Sequence, residues 1–164
     1  MTVTNVARDP ETLTLTITSE YAAEPSRVWQ LWADPRKLER WWGPPTYPAT
    51  VTEHRLVAGG RVTYFMTGPT GDRHFGYWNV LAAEPPAALE FEDGFADDSG
   101  APNSALPSTR TRVRINAAGA VTRMTMVATF PSVEAMTQLI EMGMEEGIRL
   151  ALGQADAILA EVAA

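Results

Sequence analysis

Cysteine is absent from the 164 residues. With it go disulfide bridges, thiolate metal sites and a cysteine nucleophile. Positive charge is scarce as well: 13 Lys plus Arg stand against 20 Asp plus Glu, a formal charge of −7. A phosphate backbone or an anionic membrane surface needs dense positive charge, so neither nucleic acid nor membrane is an expected partner. No apolar run approaches the roughly 18 residues of a spanning helix. Met1 to Pro10 lacks a basic start and an apolar stretch, so no secretory leader is expected and the cytoplasm is the expected location. Only two histidines occur, His54 and His74, without His-x-x-x-His spacing, so neither a metal nor a cofactor is expected. Gly-x-Ser-x-Gly, Walker and dinucleotide-binding spacings are missing too. The absences leave no strong catalytic signature.

What is present is 45% apolar content at the length of one domain, expected to span 1–164. Leu13, Leu15 and Ile17 alternate with threonines, which predicts a half-buried strand. Pro25 and Pro35 each suit a first helical position, and Asp34 suits the cap of the second helix. Two short helices, ending near Trp32 and Trp41, therefore follow the first strand. After Gly43-Pro44-Pro45 the chain reads as strands divided by turns: 50–56, 61–67, 74–83, 88–95, 110–115 and 122–130. Residues 97–108 form the one long loop, and such loops are more often functional than structural. Ser132 then caps a 3–4-spaced apolar stripe that predicts one helix over 132–161.

This order predicts an α+β fold in which a curved antiparallel sheet of six to seven strands wraps a long C-terminal helix. That helix is the only element long enough to cover the sheet's apolar face. Its stripe carries Gly143, Gly147, Ala151 and Ala155. Small residues there either leave a cavity or allow close packing. The charge is expected on loops and outer faces around a neutral interior.

The residues also carry a family likeness. Val28-Trp29, Asp34-Pro35, Arg40-Trp41-Trp42-Gly43-Pro44, Gly59-Gly60, Gly76-Tyr77, Glu84-Pro85-Pro86 and Gly143-Met144-Glu145-Glu146-Gly147-Ile148 stand in the order seen in one family. The chain, over roughly 12–161, resembles the activator of heat-shock-protein-90 ATPase homologue-like family of the START/Bet v 1-like (SRPBCC) superfamily. Ile148 stands where the family usually has tryptophan. The resemblance implies the helix-grip fold and a cavity between sheet and helix. It also makes a homodimer plausible.

Five tryptophans and seven methionines suit the walls of such a cavity. The expected lining is Trp32, Trp41, Tyr64, Met66, His74, Trp78, Phe91, Phe95, Met124, Met126, Met136, Ile140 and Met144. Tyr64 and His74 supply polar anchors, with Arg112 and Arg123 weaker candidates because both lie opposite the apolar parity. The leading expectation is a domain that binds a small apolar or aromatic molecule rather than an enzyme. The alternatives are a cavity enzyme of polyketide cyclase/dehydratase type using His74 or Tyr64 as acid/base, and a chaperone-interacting module.

Overall fold

A computed structural model describes residues 3–161. Residues 1, 2 and 162–164 of the expected 1–164 domain lie outside the described residues. Eight antiparallel strands form one sheet: β1 (Val3–Asp9), β2 (Thr14–Tyr21), β3 (Ala49–His54), β4 (Arg61–Thr67), β5 (Arg73–Glu84), β6 (Ala88–Ala96), β7 (Thr109–Ala118) and β8 (Val121–Thr129). Their spatial order is β1-β2-β8-β7-β6-β5-β4-β3. The helices α1 (Pro25–Ala33) and α2 (Pro35–Trp41) carry the chain from β2 across to the far edge at β3. The architecture is the helix-grip fold, with eight strands in place of the expected six to seven.

The added strand is β1, which sequence periodicity hides. Only Val3 and Val6 in it are partly buried, and they are three residues apart. Thr4 is an extra residue between Val3, opposite Ser19, and Asn5, opposite Thr18. That bulge breaks the period of two by which a strand is read. The other edge strand, β3, has the same device: Thr52 is extra between Val51 and Glu53. Both bulged threonines turn their hydroxyls back to the adjacent strand, Thr4 to the Thr18 carbonyl at 3.3 Å and Thr52 to the Thr63 carbonyl at 3.1 Å.

The single long helix expected over 132–161 is three helices: α3 (Val133–Glu141), α4 (Met144–Gly153) and α5 (Ala155–Leu159). Ser132 caps α3 as expected, its hydroxyl accepting from the Ala135 N–H at 3.0 Å. The first break falls at Gly143, whose φ of 91° is left-handed. This conformation ends one helix and lets the next leave at a new angle. The Arg8 guanidinium of β1 clamps Glu145 of α4 with two hydrogen bonds of 2.6 and 3.1 Å. Arg40 of α2 pairs with Glu161 beyond α5, and Gln154 donates to the Gly43 carbonyl at 2.6 Å.

The core lies where α1 and α2 meet the sheet. Trp32 and Trp41 cross edge to face at 4.8 Å, and Trp78 stacks on Phe91 at 4.2 Å. The Trp41 indole N–H donates to the Leu31 carbonyl at 2.8 Å, and that of Trp32 to the Met124 sulfur at 3.2 Å. No helix among the described residues is long and apolar enough to cross a membrane.

Candidate functional site

Between the sheet and the α3–α4 bend lies a cavity of about 290 Å³. The inward parity of β4, β5 and β6 supplies one wall with Tyr64, Met66, Gly76, Asp93 and Phe95. Leu139, Gly143, Met144, Gly147, Ile148 and Ala151 supply the opposite wall. Trp41, Trp42 and Pro44 enter from the end of α2 and the loop after it. Gly147 is where the cavity's width is set, because a Cβ there would meet nothing within 4 Å. Gly143 and Gly147 thus leave open space, whereas Ala151, which also borders the cavity, and Ala155 are closed into the core.

Six of the thirteen expected lining residues come together on this cavity: Trp41, Tyr64, Met66, His74, Phe95 and Met144. Met126 lines a much smaller void beside it, shared with Met144. Trp32, Trp78, Phe91, Met124 and Met136 are packed into the core, and Ile140, partly buried, packs against it. Packed against the rest of the core, they do not border the open space. Arg112 and Arg123 lie on the outer face, paired with Glu90 at 3.5 Å and Glu20 at 2.8 Å. His54 is structural, with Nε2 donating to the Trp32 carbonyl at 2.9 Å. The 97–108 loop is ordered by the Asp97 carboxylate, which accepts from the backbone of Ser99 and Ala101. It brings Pro107 to the cavity.

The rim is marked by two exposed side chains, His74 at 57% and Met142 at 54%. His74 Nε2 sits 2.5 Å from Asp72 Oδ2, with the Tyr47 ring 5.6 Å away. This hydrogen-bonded pair faces solvent. The floor is different in kind. Tyr64 extends across Gly76, where a Cβ would lie 2.4 Å from the phenol oxygen, so only glycine admits the ring. The indole nitrogens of Trp42 and Trp78 approach that oxygen but complete no hydrogen bond and are themselves buried. Burial pushes the Tyr64 phenol above its usual pKa, and the Asp93 charge pushes it further in the same direction.

Asp93 is the residue that the sequence reading passed over, and it makes the interior other than neutral. It lies between Phe91 and Phe95 on the inward parity of β6, which was the available signal. Thr109 donates to Oδ1 at 2.5 Å and Thr111 to Oδ2 at 3.4 Å. Burial raises its pKa from 3.8 to about 6, against the two hydroxyls that hold it down. Among the described residues no group of His, Asp and Glu is arranged to hold a metal.

The profile of the family described as Activator of Hsp90 ATPase homolog 1-like protein matches residues 22–160. Protein Ms6760 from Mycobacterium smegmatis is 48% identical, with 99% of each chain covered and a TM-score of 0.90. A protein from Arthrobacter aurescens is 49% identical over 99% of this chain and 94% of that one, with a TM-score of 0.93. An AHSA1 protein from Silicibacter pomeroyi, 22% identical over 90% of this chain and 97% of that one, shares the fold at a TM-score of 0.71. A search of the curated proteins finds no match. With its helix-grip architecture and a profile match from the end of β2 to the end of α5, the chain belongs to the activator of Hsp90 ATPase homolog 1-like family of the SRPBCC superfamily.

Proposed function

We propose that the protein binds a small apolar or aromatic molecule in the cavity between the sheet and the α3–α4 bend. The observation that carries this is the cavity itself: about 290 Å³ of space walled by Trp41, Trp42, Phe95, Met66, Met144 and Ile148. Ligand sites are concave, mostly apolar and furnished with a few polar groups, and run from roughly 300 to 1,000 Å³. This one lies at the small end, the size of a fused two-ring compound. Methionine walls adapt to varied apolar shapes.

2-Naphthylmethanol is a neutral probe of that size, and the rings of Trp41 and Trp42 report its arrival by their fluorescence. Wild-type protein is expected to bind it, and Ile148→Trp and Gly147→Leu, which fill the cavity from the helix side, are expected to weaken binding at least tenfold. Circular dichroism checks that both variants keep the fold. Equal affinity in well-folded, cavity-filled variants would refute the reading.

A cavity enzyme is the second reading, and its support is Asp93. A carboxyl poised near pH 6 in an apolar site has the property asked of a general acid or base. In that reading the acid/base role passes from His74, solvent-facing and paired with Asp72, to Asp93 beside Tyr64. A chaperone-docking role rests on the family description alone.

A further inference from the structure

The cavity floor holds a charge without a counter-charge. The partners of the Asp93 carboxylate are the hydroxyls of Thr109 and Thr111, and among the described residues no lysine or arginine lines the cavity. The arginines of the neighbouring strand, Arg110 and Arg112, point outward to Glu90. A buried carboxylate normally has a cationic partner or gives up its charge. Two aromatic groups flank the same space, Trp42 and Tyr64, with ring centroids 6.1 Å apart and planes at 84°. Aromatic side chains and a carboxylate lining one space are the surroundings in which an organic cation is stabilised by both ion pairing and ring electrons. An organic anion meets the reverse: a like charge at the floor and a protein of formal charge −7.

We propose that the ligand is a hydrophobic amine, whose ammonium group pairs with Asp93 while its apolar body fills the space under α3 and α4. This rests on the reading of the cavity as a ligand site and adds the ligand's charge. The indole N–H groups of Trp42 and Trp78 are buried and approach the Tyr64 oxygen, so they do not call for an acceptor on the ligand. Other ionisable groups that bear on Asp93 are Tyr64 on β4, Tyr77 on β5 and Glu92 on its own strand. None of these is a cation at neutral pH. His74 lines the cavity from β5 at the rim.

Three probes with one ring system separate the outcomes: 2-naphthylmethylamine, 2-naphthylmethanol and 2-naphthoate, titrated calorimetrically at pH 7.5. The amine is expected to bind at least tenfold more tightly than the alcohol, and the carboxylate most weakly. Asp93→Asn is expected to erase the amine's advantage over the alcohol. The amine's affinity in wild-type protein is expected to fall as pH drops through about 6, with the alcohol's unchanged; the profile is repeated in His74→Gln to separate the rim group. That profile needs no Asp93 variant and stands if Asp93→Asn fails to fold. Alcohol and amine binding equally, or an advantage that survives Asp93→Asn, overturns the charge assignment and leaves the cavity reading intact. Failure of all three probes to bind overturns both.

Discussion

Asp93 costs the fold stability in its ionised state. A carboxyl whose folded pKa is about 6 binds its proton more tightly in the folded chain than in the unfolded one. Between the two values stability therefore falls as pH rises. Each factor of ten in proton affinity is worth about 1.4 kcal/mol, so ionised Asp93 destabilises the neutral-pH fold by on the order of 2–3 kcal/mol. Asp93→Asn is expected to raise the unfolding free energy in urea at pH 7.5 by about 2 kcal/mol, with the gain gone at pH 4. A loss of stability at pH 7.5 would contradict the account. Residue by residue, the sequence showed which side chains point inward and not which of them border open space. Trp78 and Phe91 share the parity of Gly76 and Asp93, yet stacking closes the first pair into the core. Parity along β6 did mark Asp93, since it fell in register between two phenylalanines.

At the scale of elements, most boundaries were legible because turn residues bracket alternating strands. β4 runs over Arg61–Thr67, the span between Gly59-Gly60 and Gly68-Pro69. The C-terminal helix was not legible as three pieces. Gly143 sits in phase with the apolar stripe, and periodicity does not register a change of direction that keeps the phase. Its backbone does: φ is 91°, and a Cβ there would meet no atom within 4 Å. The cost of a side chain is thus conformational rather than steric. Gly143→Ala is expected to destabilise the protein by about 1–2 kcal/mol, read as a lowered Tm. No change in Tm would mean that the bend tolerates an ordinary helical residue. The bend matters to the site because it carries Met142 to the rim and Met144 to the wall.

For the whole molecule, two pH dependences of opposite sign meet. Hydrogen bonds from Arg8 and Arg40 hold Glu145 and Glu161 below the usual carboxylate range. Their contribution is present above the unfolded value of about 4.5 and is lost as pH falls through the lower folded values. Asp93 acts the other way between 3.8 and about 6, and a formal charge of −7 adds self-repulsion at neutral pH. Stability is therefore expected to peak at about pH 4.5, where the glutamate contributions are in place and the Asp93 cost has only begun, and to fall from there towards neutrality; thermal unfolding from pH 3 to 8 measures it. A maximum at pH 7 or above would assign the dominant effect elsewhere. The overall plan was readable because only one late amphipathic segment can cover a long meander, and the family motifs lie at its turns and helix ends. The buried carboxyl at its centre was not, because composition counts Asp93 with the solvated acids.

The sheet does not close on itself, so β1 and β3 each leave a row of backbone groups without a strand beyond. Such rows are templates on which further copies can stack into fibres. Here each is interrupted by an inserted threonine, at Thr4 and at Thr52, that shifts the spacing of the outward N–H and C=O groups. A straight incoming strand finds its partners out of step at both ends of the molecule. The two irregularities that hide the edges from sequence periodicity thereby help to keep the protein from polymerising.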